Sequence, residues 1–450
     1  MSQGYFSFFF TKKSVFRCTF ALEIINSYTL IHIMRVLLIN TSECAGGAAI
    51  AARRLTAALT AHGVKARLLV GEKQSTSVTT SAYPRHWRLR LSFLWERLCV
   101  FVANGFSRKG LWDVDIASMG VDIVSLPEFR EADIIHLHWV NQGMLSVRQI
   151  GAILASGKPV VWTLHDLWPV TGVCHYFRAC SKFQSHCQTC PQLQRPGKHD
   201  LSYWTFERKL KAYARGRITF VGCSRWIAGE AAQSALVGGH NVVSIPNTYD
   251  HNVFCVADKA EARRHHSLPL KGRLLLFACQ KVTDPRKGLA FLFDALASPL
   301  LHRWQGLLTL VVVGQMTDGI ASEVPFPVIK KGYITSEAEM AALYQAVDAF
   351  VTPSLEDNLP NTLMEAAATG TPCVGFEAGG IPEMIDHQRT GYVAHFCDAE
   401  DLARGIDYVL DDNHHDALAQ AAAEKAASTW GAESVARRYC DLYESLLTTS

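Results

Sequence analysis

The feature that most constrains this chain is an alternation of short apolar runs with amphipathic stretches, executed twice and interrupted around residues 247–270. A strand buried on both faces reads as a continuous apolar run, and a parallel neighbour needs a crossover helix between them. In the first half the predicted strands are 35–40, 66–70, 133–138, 159–164, 218–222 and 242–245, and a helix runs to about residue 61. In the second half they are 274–279, 308–313, 328–333, 349–352 and 372–376, with helices expected at 288–297, 336–346, 361–369, 381–385 and 399–410. A last helix at 433–447 carries Val435, Tyr439, Leu442 and Leu446 on one side. The fold class that follows is α/β: two doubly wound, Rossmann-like domains with a linker near residue 250. A chain of 450 residues exceeds one typical core, which agrees.

Composition excludes several classes. A formal net charge of +3 gives no general case for nucleic-acid binding. No stretch approaches the ~20 apolar residues of a spanning helix. Residues 1–33 are apolar and aromatic but interrupted by Lys12, Lys13, Arg17 and Glu23, unlike a secretory leader. They are expected to be an N-terminal extension, non-native or disordered, with a peripheral anchor as the alternative. The 13 cysteines lack an export signal, so a cytoplasmic chain with mostly free thiols is expected, and Cys99, Cys223, Cys279, Cys373 and Cys440 read as core residues. The segment 85–106 mixes Arg with Trp, Phe and Leu. It is either a surface helix with an apolar inner face or an amphipathic helix at the inner face of the cell membrane.

In open parallel sheets, ligands sit beyond the carboxyl ends of the strands. After the first strand, Gly46 and Gly47 let backbone approach a ligand at a helix start, a place suited to phosphate. After the strand at 159–164 stand His165 and Asp166, able to contact polar ligand groups. The most specific segment runs from Pro353 to Ala366. It holds Glu356 and Asp357 in a turn, Asn358 and Leu359 after them, and Glu365 in the following helix. Carboxylates accept hydrogen bonds from sugar hydroxyls, and the helix start suits a diphosphate. Arg286 and Lys287 precede another helix, where cations oppose the macrodipole, so an anionic ligand between the domains would explain them. Gly379, Gly380 and Glu383 form one more glycine-rich turn.

Together these residues resemble the retaining glycosyltransferases of group 4 with the GT-B fold, over nearly the whole chain from Met34. The resemblance implies a first domain over 34–250 for the acceptor, a second over 251–430 for a nucleotide sugar, and a helix at 431–450 crossing back to the first. By it, Glu365 binds the ribose and Asp357, in place of the usual Glu, the transferred sugar, with Glu356 competing. Lys287 matches the family's diphosphate lysine, and Arg286 stands in for an arginine whose usual place holds Gln280 or Lys281. The segment from Trp162 to Trp168, followed by Thr171 and Gly172, resembles the colanic-acid type of exopolysaccharide transferase.

That subgroup likeness accounts for Cys174, Cys180, Cys187 and Cys190 as an insertion at 174–190, for which a structural zinc is the leading expectation and disulfides or free thiols the rivals. No catalytic metal is expected. The implied activity moves a hexose-type sugar from a UDP- or GDP-sugar to a glycan or undecaprenyl-linked oligosaccharide. His165 would contact the donor sugar, and Asp166 the acceptor hydroxyl or His165. A nucleotide-sugar epimerase of the same fold, or a non-catalytic zinc-stabilised interaction protein, are the alternatives.

Overall fold

The structure, a computed structural model, describes residues 33–108, 110–315 and 324–448. The extension expected at 1–33 lies, but for its last residue, outside them. The first sheet holds β1 (Arg35–Ile39), β2 (Lys65–Val70), β3 (Thr80–Ala82), β4 (Ile134–Leu137), β5 (Val160–Leu164), β6 (Ile218–Gly222) and β7 (Asn241–Ser244). All pairings are parallel, in the order β3-β2-β1-β4-β5-β6-β7. The second holds β8 (Arg273–Lys281), β9 (Leu308–Gln315), β10 (Val328–Gly332), β11 (Ala349–Thr352), β12 (Cys373–Phe376) and β13 (Gly391–Ala394), in the parallel order β10-β9-β8-β11-β12-β13. Every residue of β4, β5, β6, β11 and β12 is buried, which is why these strands read as unbroken apolar runs.

Several elements escaped the periodicity, among them the helices Val147–Leu154, Leu201–Tyr213 and Arg225–Ala232 and the three that follow. β3 is Thr-Ser-Ala, a polar edge strand, and β13 is only four residues. The helix His415–Trp430 buries Leu418, Ala422, Ala426 and Trp430, a stripe so rich in alanine that its apolar signal is weak.

The final helix, Ala432–Thr448, returns to the first sheet, where it packs on the helix Gly47–Ala61. Its tyrosines close a buried polar chain. Tyr443 Oη lies 2.7 Å from His136 Nδ1, His136 Nε2 lies 2.8 Å from Thr163 Oγ1, and Tyr439 Oη lies 2.9 Å from the same hydroxyl. Burial pushes the His136 pKa down to about 3, so the ring is neutral and one of its nitrogens accepts. The final helix is thereby fastened to the first sheet through buried hydrogen bonds. Tyr443→Phe strips a partner from a buried nitrogen, and chemical denaturation should show about 1–3 kcal/mol less stability.

Candidate functional site

In each sheet the strand order reverses beside the first strand, between β1 and β4 and between β8 and β11. Such switch points open a crevice at the carboxyl ends. Gly46 and Gly47 follow β1, and Arg286, Lys287 and the turn 353–360 follow β8 and β11.

On the second-sheet side, Pro285–Lys287 form a single tight turn and the helix proper starts at Leu289. The cations therefore precede the helix instead of occupying its first turn. Asp284 caps the turn, accepting from the Arg286 backbone at 3.0 Å and from its guanidinium at 2.8 Å. Gly288 adopts φ 68°, and a Cβ there would overlap the Pro353 carbonyl oxygen. Only glycine lets this turn sit against the acidic one. Lys287 Nζ then reaches Asp357 Oδ2 at 2.6 Å. Burial lowers the lysine's pKa, but the Asp357 charge outweighs it and the net shift is upward. Among the described residues Nζ makes this one hydrogen bond, which leaves two protons for a ligand. Arg286 lies over the Tyr176 ring, 5.0 Å from its centroid. Glu356 accepts from the Arg178 backbone at 3.3 Å, and burial raises its pKa. So Arg286, Lys287, Glu356 and Asp357 are brought together, facing Tyr176 and Arg178 of the first half.

Asn358 has a different role from the one its motif suggests. Its side-chain amide donates to the Leu164 and His165 carbonyls at 3.1 and 3.3 Å and contacts Cys223 Sγ at 2.9 Å. Its oxygen accepts from Ser224 Oγ at 2.6 Å. The side chain is wholly committed to joining the halves and is not free for a nucleotide. Leu359 is buried in the second-half core, so its side chain offers a ligand no polar group. Glu383 accepts from the Arg225 and Trp226 backbone N–H groups at 2.9 and 2.6 Å, a second tie between the halves.

Glu365 is likewise engaged. Arg54, on the helix Gly47–Ala61, donates to its Oε1 at 2.7 Å and to Glu337 at 3.0 Å. Burial raises the Glu365 pKa against the opposing pull of Arg54. The Arg54 side chain is 4% exposed, yet its Nε and Nη1 have no partner among the described residues. Close by, Asn361 Nδ2 donates to the Gly47 carbonyl at 3.1 Å. The glycine loop thus abuts the start of the helix that carries Glu365. Arg54 was missed in the sequence, although an arginine on the same helical face as Ala51, Leu55 and Ala58 was a usable signal.

On the first-sheet side, His165 Nε2 lies 2.9 Å from His138 Nδ1, in stacked rings. Burial pushes the His165 pKa down to about 4, although the Asp166 charge pulls it up, so it is a neutral hydrogen-bonding group at pH 7. Asp166 does not orient it. One Asp166 oxygen accepts from Trp139 Nε1 at 2.8 Å and His175 Nδ1 at 2.7 Å, and the other from the Trp168 backbone at 2.9 Å. Three of the carboxylate's four lone-pair sites are thus taken within the protein, and one on the oxygen that meets Trp168 is left for an acceptor hydroxyl. His175 also bonds Asp115 at 2.8 Å. Burial alone would lower the His175 pKa, but the Asp166 charge and the bonds to both aspartates raise it to about 10.

The four cysteines line one small pocket with Phe177 and Phe183. All are free thiols. The Gly172 N–H donates to Cys187 Sγ at 3.2 Å. Burial pushes the Cys187 pKa up to about 12 and that of Cys174 further. A zinc tetrathiolate sets its sulfurs about 3.8 Å apart. Among the described residues, the group with three ligand atoms within 4.8 Å of one another is His265, His266 and Glu339, and these thiols form none. The cysteines are gathered but not in zinc geometry, so they do not fit the metal expectation.

Comparison with known proteins places both halves. Residues 45–253 match the model of Glycosyltransferase Family 4, and residues 272–412 match that of Glycosyl transferases group 1. A putative colanic acid biosynthesis glycosyl transferase, WcaC of Escherichia coli K12, is 25% identical over 57% of this chain. A D-inositol 3-phosphate glycosyltransferase of Corynebacterium kroppenstedtii is 27% identical over 41% of it. These alignments span 61% and 43% of the two relatives' own lengths. Among solved structures, the sucrose-phosphate synthase of Thermosynechococcus elongatus superposes with a TM-score of 0.64 at 18% identity, over 93% of this chain and 100% of that one. Anabaena Alr3699/HepE in complex with UDP and glucose superposes at 0.60 with 16% identity, over 92% and 100%. The fold is GT-B.

The His175 clamp has a definite pH signature. A histidine whose pKa is raised by folding contributes stability that is complete below its unfolded value of 6.5 and is lost as pH rises through about 10. The difference in thermal midpoint between the native chain and His175→Gln should therefore be largest near pH 6 and narrow towards pH 10.

Proposed function

We propose that this chain, a glycosyltransferase of the group 1 and family 4 type, moves a hexose-type sugar from a UDP- or GDP-sugar to a glycan or lipid-linked acceptor, with retention of configuration, in cell-surface polysaccharide synthesis. The observation that carries this reading is the convergence of Lys287, Arg286 and Asp357 at the second sheet's switch point, joined through Asn358 to the His165 carbonyl at the carboxyl end of β5. The colanic-acid name of one relative supports the polysaccharide role, and the UDP and glucose named with one structural neighbour support the donor class.

In this reading the nucleoside diphosphate lies against Lys287 and Arg286. The bond from the anomeric carbon to the phosphate oxygen breaks while the acceptor oxygen bonds to the same face, and the acceptor's proton leaves with the diphosphate. Negative charge grows on that departing oxygen. Two cations held in place by Asp284 and Asp357 stabilise it with little reorganisation at the moment of reaction. Asp357 steers Lys287 and presents its second oxygen to a sugar hydroxyl. The neutral His165 ring can exchange a hydrogen bond with the sugar without adding charge near the anomeric carbon. Glu365 receives the ribose hydroxyls, which means sharing its carboxylate with Arg54 or exchanging one partner for the other.

Turnover of labelled UDP- and GDP-sugars, with extracted lipid-linked oligosaccharide as acceptor, tests this. Lys287→Ala should lower kcat/KM at least about 100-fold while leaving the fold intact by circular dichroism. Undiminished transfer in the variant, or sugar interconversion without any acceptor, would overturn the reading.

A further inference from the structure

The helix His86–Ala103 is built inside out. Its buried positions include Ser92, Glu96 and Arg97, together with Val100. Glu96 Oε1 accepts from the Ile116 and Ala117 backbone at 2.7 and 2.8 Å, and Arg97 donates to the Val114 carbonyl at 3.1 Å and to Asp115. The polar side thus turns inward onto the loop after the helix, with Glu96 Oε2 and Arg97 Nε left without a hydrogen-bond partner among the described residues. The outward side carries Trp87, Leu91, Leu94, Trp95, Leu98 and Val102, at intervals of three, four and seven that put them in one stripe. Each is between 47% and 61% exposed. Exposed apolar side chains scattered singly are ordinary, but a continuous stripe along about 23 Å of helix marks something that covers it.

The charge around the stripe identifies what does. Arg85, Arg88 and Arg90 stand exposed at its amino-terminal end. No carboxylate pairs with any of them among the described residues. The helix's single acid, Glu96, is buried. Tryptophan and leucine flanked by unpaired arginine is the composition of a helix that lies in a bilayer interface and meets anionic headgroups. The location agrees with such a surface. His86 Nδ1 lies 2.8 Å from the Gly71 carbonyl, just past β2. A Cβ on Gly143, past β4, would meet the Phe93 nitrogen and the Leu89 carbonyl. The helix therefore seats against the carboxyl-end edge of the first sheet, the edge that bears the candidate site.

We infer that the outer face of the helix His86–Ala103 is a docking surface for an anionic lipid bilayer, with the tryptophan and leucine side chains inserted among the headgroups and Arg85, Arg88 and Arg90 on the phosphates. This reading does not depend on sugar transfer. It would also hold the cleft's acceptor side at the bilayer.

The test is flotation of the full chain with vesicles of phosphatidylcholine alone and of phosphatidylcholine with 30% phosphatidylglycerol. The native chain should float with the anionic vesicles, more weakly with the neutral ones, and less as salt rises. Leu94→Glu with Leu98→Glu should lower vesicle affinity at least tenfold and leave the melting temperature unchanged, since both side chains face outward. Arg88→Glu with Arg90→Glu should lower affinity for the anionic vesicles more than tenfold and that for neutral ones little. Failure of the native chain to float overturns the inference, as does binding that survives Leu94→Glu with Leu98→Glu, which would place lipid contact elsewhere, residues 1–32 included. A dimer in light scattering that the same substitutions dissolve, without any flotation, would assign the stripe to a second copy and equally overturn it.

Discussion

One buried amide ties the candidate site together. Asn358 sits in the acidic turn of the second sheet, and its side chain ends in the first, on the carbonyls of Leu164 and His165, the Cys223 sulfur and the Ser224 hydroxyl. A primary amide has two protons and one oxygen to satisfy when water is excluded, and here every one is used. The acidic turn cannot shift relative to the end of β5 without leaving these groups unpaired. The turn itself is fixed by close backbone approaches. A Cβ on Gly379 would strike the Asp357 carbonyl, and one on Gly380 that of Asn358. The position of Asp357, and through it that of Lys287, is thus set by packing in which side chains larger than glycine have no room.

Around this rivet the charges are arranged in pairs, two of which bridge elements. Lys287 meets Asp357, Arg286 meets Asp284, and Arg54 crosses between the halves to Glu365 and Glu337. A buried pair of this kind adds little stability for its own sake, because desolvation offsets most of the attraction. What it does is hold charged groups in one place with donors left over. Lys287 keeps two protons unused, and two nitrogens of Arg54, whose guanidinium lies over the Phe254 ring, make no hydrogen bond among the described residues. A lysine with donors to spare, beside a glycine loop and a helix start, is what an anionic nucleotide requires.

Much of this was legible in the sequence, for identifiable reasons. β5 and β11 were readable because both faces of each strand are buried, so their runs are unbroken. Arg286 and Lys287 stood out because cations next to a helix start oppose its dipole, and the turn Pro285–Lys287 ahead of Leu289 is how the chain resolves the conflict. What the sequence hid are partners distant along the chain. Asp166 stood out as a ligand group, but not as the partner of Trp139 and His175, which lie elsewhere along the chain. The likeness to known transferases named Glu365 but not Arg54, which is 311 residues away in sequence. The cysteine spacing suggested a metal, yet the sulfurs line a pocket without converging. Pair partners at such separations are fixed by tertiary packing, and local pattern does not report them.

The central claim is that a nucleoside diphosphate occupies the gap between the two switch points. Its most direct test is a crystal structure of the chain grown with UDP or GDP. The account predicts diphosphate oxygens at about 3 Å from Lys287 Nζ and the Arg286 guanidinium, with the ribose at Glu365. Density for the nucleotide on any other face, or a complex in which Lys287 stays on Asp357 with no phosphate near it, would contradict the account.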